Sequence, residues 1–316
     1  MTRFDRNQAL AWLTSRQVLA DDGVVRSWAN PQHPGFAYPE AAALWLGWAS
    51  WRVGRNEPAP TGDQVRGVAH RLAAELAAGR GLGQDGRAYL FDTCVALHAL
   101  ARASACGLTS AIPDAGRVGA AAAIERFLDE DAPVLPPATE TASWSTAWGP
   151  YQARGAGLLA EAGVRLRDPR LSDLAQRIRQ RIRAVADQGA RRYVHAWLYG
   201  LEGELIRGEA AQAVALPARA LATLQREDGG LPAWSDAPGP PRSDSTAQAI
   251  RVWSAVDRAA FDVPIGRALR FLASLQDDSG GVAYEPGSKD RTTWSAIFAD
   301  QAAAWSGTGL EPGGWI

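Results

Sequence analysis

The chain is nearly without lysine: Lys289 is the only one, so 32 of its 33 basic residues are arginines. Against 34 acidic residues this leaves a formal charge of −1, with no basic run and no acidic tail. A nucleic-acid partner calls for a basic face, and none is present. A GC-rich genome accounts for the arginine bias more simply than phosphate binding does. Cysteine is as scarce. Cys94 and Cys106 lie on apolar helical segments and are too few for a disulfide framework or a zinc site, so they read as buried thiols in a reducing compartment. His33, His70 and His98 have no partners at metal-ligand spacing, and neither a metal nor a cofactor is expected. No stretch of about 18 apolar residues occurs that would cross a membrane. The opening "MTRFDRNQALAWL" lacks the apolar run and small-residue cleavage site of a secretory signal. These absences predict a cytoplasmic protein with no membrane partner. A phosphate loop is missing too, and "STAQ" has no nucleophile-elbow context.

What the chain does have is apolar mass and repetition. Of its 316 residues 47% are hydrophobic, and thirteen are tryptophans, which suggests aromatic walls around something. "LQREDGGLPAW" (Leu224 to Trp234) returns about fifty residues later as "LQDDSGGVAYE" (Leu275 to Glu285). Helical periodicity follows the same interval. One set of helices is amphipathic and arginine-studded: 5–20, 63–78, 114–129, 169–187, 211–225 and 262–275. The other is rich in Ala, Trp and Leu and poor in charge: 40–53, 89–106, 145–162, 193–207, 244–258 and 292–305. A helix apolar on most faces is buried, so the second set belongs inside the first. Six such hairpins of similar size predict an all-α, (α/α)6 toroid, with residues 1–316 as a single domain. Gly-Gly is expected to reverse the chain where an outer helix ends. Pro39, and Ser243, Asp244 or Ser245 as caps, mark starts of inner helices.

Closure of the ring would bring the first turns of all inner helices to one mouth, where unpaired N–H groups and positive dipole ends favour an anion or an oxyanion. The six starts, "FAYPEAA", "GRAYLFDT", "SWSTAWGPYQAR", "RRYVHAWLYG", "PRSDSTAQ" and "SKDRTTWSAIFAD", hold every tyrosine except Tyr284. They also supply Glu40, Asp92, Arg154, His195 and Asp244. Glu40 and Asp92 suit either a site or a helix dipole. Asp244, between two serines, suits a cap as well as an acid. His195, beside Tyr193, Trp197 and Tyr199, suits a site or a hydrogen-bonded core. "LDEDAP" (128–133) ends an outer helix and reads as solvated.

Two resemblances arise at these residues. "RALRFLASLQDDSGGV" (Arg267 to Val282) resembles the repeat motif of terpene cyclases and protein prenyltransferase β subunits, in which a basic residue, an aromatic-aliphatic pair, Gln and Gly brace adjacent helices. Arg267, Ala268, Phe271, Leu272, Gln276 and Gly280 match, while Val282 replaces a Trp. Of the Asp-x-Asp-Asp-Thr-Ala acid of squalene–hopene-type cyclases, "RSDSTA" keeps only Asp244, Thr246 and Ala247, and the zinc ligands of prenyltransferases are absent. More broadly, "AYPEAAALW", "YLFDTCVAL", "WGPYQARGAGLLAEAG", "YVHAWLYGLEGEL", "DSTAQAIRVW" and "GGVAYEPGSKDRTTWSAIFADQAAAW" together resemble bacterial α/α-toroid proteins of polysaccharide biosynthesis. Those are similar to uronyl carbon-5 epimerases and to unsaturated glucuronyl hydrolases.

The resemblance implies a carbohydrate-active enzyme acting on a uronic-acid-containing sugar or glycan. Aromatic faces would stack on the sugar: Tyr38, Tyr89, Trp148, Trp197, Tyr199, Trp234 and Trp294 are the candidates. Epimerisation or elimination would use His195 or Tyr193 as base, Tyr151 as opposite-face acid and Arg154 as carboxylate clamp, Tyr151 and Arg154 sharing a helix face. Hydrolysis would rest on Asp92 with Glu40 or Asp244. An isoprenoid cyclase or binder with a dry cavity is one alternative, and a non-catalytic glycan-binding subunit another.

Overall fold

A computed structural model describes residues 3–33, 35–109, 114–137, 145–185, 192–208, 211–310 and 313–316. Twelve α-helices occur among them: α1 (Arg6–Leu13), α2 (Pro39–Gly54), α3 (Gly62–Ala77), α4 (Leu90–Ala105), α5 (Asp114–Asp129), α6 (Gln152–Leu166), α7 (Pro169–Ala184), α8 (Val194–Ile206), α9 (Ala211–Thr223), α10 (Ser243–Asp257), α11 (Asp262–Leu275) and α12 (Thr293–Thr308). Seven strands of two or three residues lie in the connections: β1 (Trp28–Ala29), β2 (Leu82–Gln84), β3 (Arg87–Tyr89), β4 (Val134–Leu135), β5 (Leu231–Pro232), β6 (Pro241–Arg242) and β7 (Arg291–Thr292). No helix among the described residues is long and apolar enough to cross a membrane.

Two helices depart from the periodicity. The segment expected to run 5–20 stops at Leu13, with Thr14 at the C-cap, its N–H and hydroxyl both donating to the Leu10 carbonyl. The helix expected from 145 begins only at Gln152, since Pro150 has no N–H to donate and restricts Gly149 before it. Residues 143–144 of that start, Arg191 of the next, and 186–187 at the end of the expected 169–187 helix lie outside the described residues.

The chain divides into two compact units. One comprises Leu19–Arg26, Ala37–Gln188 and Trp315–Ile316, and packs α4 between α2 and α6 with α3, α5 and α7 against them. Every residue of α2 from Ala41 to Arg52 is buried, and every residue of α4 from Leu90 to Ala103. By contrast α7 buries only Leu171, Leu174, Ala175 and Ile178, a single stripe at helical spacing. The predicted alternation of buried and half-buried helices is therefore present. A three-stranded sheet in the order β2-β3-β4 leads into α4 and sets Tyr89 opposite Leu82 and Val134. Thr93, in the first turn of α4, donates to the Tyr89 carbonyl and accepts from the Leu82 N–H, each at 2.9 Å.

The other unit comprises Met1–Val18, Ser27–Phe36 and Gly189–Gly314, and packs α10 against α8, α9, α11 and α12, with α1 on α12. Thr246 repeats the role of Thr93: it donates to the Arg242 carbonyl at 2.6 Å and accepts from the Leu231 N–H at 2.9 Å. The Gln…Gly-Gly repeat is a bolt between successive flanking helices. The Gln225 amide donates to the carbonyls of Gly229 and, at the start of α11, Pro264, both at 2.9 Å. The Gln276 amide donates likewise to Gly280 and to Asp5 at the start of α1, the latter at 2.9 Å. These glycines are not helix caps, contrary to expectation. They close turns beyond the helix ends, and a Cβ on Gly229 or Gly280 would lie 2.3 Å from the Arg267 carbonyl or 2.0 Å from that of Gln8. Close approach of the next helix, together with a positive φ of 95° or 88°, demands glycine there.

The tryptophans also differ from expectation. Seven of the thirteen (Trp12, Trp45, Trp48, Trp51, Trp253, Trp305 and Trp315) are fully buried core rather than walls of an opening.

Replacing Gly280 by Ala is expected to cost well over about 1 kcal/mol in chemical denaturation, because backbone of α1 must move. Gly287→Ala, at φ 80° but with nothing within 4 Å of the new methyl, is expected to cost only the conformational strain, about 1 kcal/mol.

Candidate functional site

In each unit the buried helices begin in one register. The N-cap position is Tyr38 on α2, Tyr89 on α4, Tyr151 on α6 and Tyr193 on α8, and none of the four caps its helix with its side chain. The residues that follow enter the first turn, where N–H groups are unpaired within the helix.

In the α2–α7 unit, Glu40 follows Pro39 in the first turn of α2, and Asp92 lies in the first turn of α4. Asp92 is 3% exposed. Burial, reinforced by the charge of Glu40, holds its carboxyl well above the usual carboxylate range, and the Tyr38 hydroxyl bond only partly offsets this. Asp92 therefore holds its proton to higher pH than an ordinary carboxyl does. Its Oδ2 is buried and has no hydrogen-bond partner among the described residues. Burial and then Asp92 push the Tyr38 hydroxyl far up, and the Cys94 thiol likewise, so neither ionises readily. Cys106 is only half-buried. His98 is a core residue paired with Glu161 at 3.1 Å.

Tyr151 and Arg154 share a helix face as predicted, but that face is packed inward. The Tyr151 hydroxyl donates to the Ser145 carbonyl at 2.8 Å and accepts from the Gln152 amide at 2.7 Å, and burial pushes its pKa well up. Arg154 is fully buried, 5.8 Å from the Phe91 ring centre, and donates to the Ile316 carbonyl. Arg154, expected at an opening as a carboxylate clamp, lies in the core against Phe91 and the Ile316 carbonyl. Trp148 lies against flanking-helix ends, donating to the Asp131 carbonyl at 2.9 Å under the Arg181 guanidinium.

In the α8–α12 unit, His195, Asp244 and Trp294 each occupy the second residue of a buried helix and converge. His195 Nδ1 is 3.7 Å from Asp244 Oδ2, and Trp294 Nε1 is 3.4 Å from the same oxygen. The other Asp244 oxygen accepts the Ser245 N–H at 2.7 Å. The cap expected of Ser243 or Asp244 is absent, because Arg242 holds the N-cap position; the Ser243 hydroxyl donates to the Tyr284 carbonyl at 3.0 Å instead. Tyr193 is pushed up to about 12 by burial and then by Asp244, with Arg242 pulling the other way. Its ring lies 4.9 Å from that of Trp234, which is 44% exposed. Trp197 and Tyr199 are buried, Tyr199 against His195 at 4.4 Å. Two helical turns further in, Glu202 and Arg251 form a fully buried pair at 3.4 Å that ties α8 to α10.

Arg242 and Tyr284 were not among the residues expected at a site. The Arg242 guanidinium lies 3.4 Å from the centre of the Tyr284 ring. The signal for it was the N-cap register, in which Arg242 takes the place tyrosine holds on four other helices. No group of three potential metal ligands occurs among the described residues.

No family model matches the sequence, and no curated protein matches it significantly. Solved structures do match. An unsaturated glucuronyl hydrolase specific for heparin superposes with a TM-score of 0.69 at 11% identity, covering 96% of each chain. A glycosidase gives 0.69 at 14% identity over 96% of this chain and 98% of its own. A polysaccharide lyase gives 0.56 at 14% identity over 89% and 94%. At such identities the likeness speaks for architecture: the chain has the all-α fold of the α/α toroids.

Proposed function

We propose that the chain is a carbohydrate-active enzyme of the hydrolase type, acting on a uronic-acid-containing glycan, with Asp92 as its general acid. The observation that supports this most is the setting of Asp92: buried, its carboxyl held well above the usual carboxylate range, and with an oxygen that no described residue engages. A hydrolase needs such an acid to protonate the departing oxygen and a carboxylate to draw a proton from water. Glu40 takes the second role, since its charge is what Asp92 senses most after burial. The Tyr38 hydroxyl bond fixes the acid's orientation. That a glucuronyl hydrolase and a polysaccharide lyase share the fold agrees with this substrate class but is an analogy of fold.

A second reading, proton abstraction beside a uronate carboxylate, is favoured by the contact of His195 with Asp244. The Asp244 carboxylate faces the imidazole ring. Tyr193, pushed up to about 12, is the poorer base near neutral pH, so His195 holds that role. The isoprenoid alternative required Asp244 in a dry apolar hole. Asp244 instead lies among His195, Ser245 and the Trp294 N–H, which weighs against it.

Asp92→Asn is expected to lower turnover of unsaturated uronyl oligosaccharides about 10²–10⁴-fold, followed as loss of their ultraviolet absorbance. Unchanged turnover removes Asp92 from the mechanism. The same substitution is expected to stabilise the protein increasingly as pH rises. A carboxyl whose folded pKa is raised favours the folded state's proton, so wild-type stability falls from about pH 4 upward until the folded pKa is passed. The melting-temperature gain of Asp92→Asn should therefore be larger at pH 8 than at pH 4. For the second reading, solvent deuterium should enter the uronate and cease to do so in His195→Ala; no incorporation by the wild type ends that reading.

A further inference from the structure

Arg242 is held in an arrangement that its protein neighbours leave incomplete. Its guanidinium is stacked on Tyr284 and its side chain is only 18% exposed, yet it makes no hydrogen bond to any described residue. Nε is buried without a partner. The one carboxylate nearby, Glu285, is 3.8 Å from Nη1, beyond hydrogen-bonding distance, and is one-third exposed, where pairing is worth little. Asp244 already accepts hydrogen bonds from the Ser245 and Trp294 N–H groups. A guanidinium stacked against a ring, with its donor edge unfilled, fits a planar acceptor with two oxygens.

Its surroundings add a second feature. Strand pairing sets Arg242 opposite Leu231, and Leu231 opens the loop that carries Trp234. Tyr193 links the two: its ring meets Trp234 at 4.9 Å and its hydroxyl senses the Arg242 charge. Trp234, at 44% exposed, is the one large aromatic among the described residues that is this open to solvent. Exposed tryptophan faces suit the C–H face of a sugar ring. Lys289 is exposed and follows Tyr284 in the same loop, where its carbonyl accepts from Arg291 at 2.7 Å.

We infer that Arg242 and Trp234 form a binding site for a sugar acid, with the carboxylate on Arg242 and the ring on Trp234. This deepens the substrate reading above and rests on it only for the sugar character of the ligand. It assigns to Arg242 the clamp that the sequence suggested for Arg154.

The test is binding, by calorimetry or protein-observed NMR, of D-glucuronate, its methyl ester and D-glucose. The wild type is expected to bind glucuronate at least about 10-fold more tightly than the uncharged ester or glucose. Arg242→Gln should abolish that preference, and Arg242→Lys should restore part of it, since charge returns without the planar fork. Trp234→Ala should weaken all three sugars alike. Equal binding of glucuronate and its ester overturns the proposal; this comparison uses the unaltered protein and decides even where Arg242→Gln fails to fold. A folded Arg242→Gln that keeps the wild-type preference overturns it as well. Failure of the catalytic reading looks different: Asp92→Asn would leave turnover unchanged while glucuronate binding and its loss in Arg242→Gln remained.

Discussion

Burial on every face of the second helix set is the constraint from which the rest follows. A helix packed all round, as α2 and α4 are, has only its ends left to meet solvent or ligand. Polar residues inside it must find partners within the unit, as Glu202 does with Arg251. Those in the first turn have another outlet, the unpaired N–H groups and the dipole end beside them. The same burial that stabilises the fold thus concentrates titratable groups at helix starts and shifts their ionisation. Asp92 is the clear case: at a solvated helix end it would be an ordinary carboxylate, and within the packed start of α4, near Glu40, its proton is harder to lose.

The repeat explains how the helix starts are held. Gln225 and Gln276 each reach the beginning of the next flanking helix, and Gly229 and Gly280 let that helix come within a distance no side chain permits. Thr93 and Thr246 then tie the strand before a buried helix to its first turn.

Much of this was legible in the sequence because it is periodic. Helix identity, the alternation of buried and half-buried elements and the clustering of tyrosines at helix starts all come from spacing. What escaped depends on neighbours remote in sequence. Nothing around Arg154 indicates that the Ile316 carbonyl will receive its guanidinium, or that Phe91 will cover it. Arg242 stood only within the helix start "PRSDSTAQ", because its partner ring, Tyr284, arrives from a later repeat. The tryptophans misled for a different reason: composition counts aromatic rings without saying whether they face a core or an opening, and Trp45, Trp48 and Trp51 face a core.

The single lysine gains a use from its position. Lys289 is exposed in the loop between Tyr284 and α12, so the one lysine lies on the same loop as the ring that backs Arg242. An environment-sensitive dye coupled there would report on that loop without any engineered cysteine and without disturbing Cys94 or Cys106.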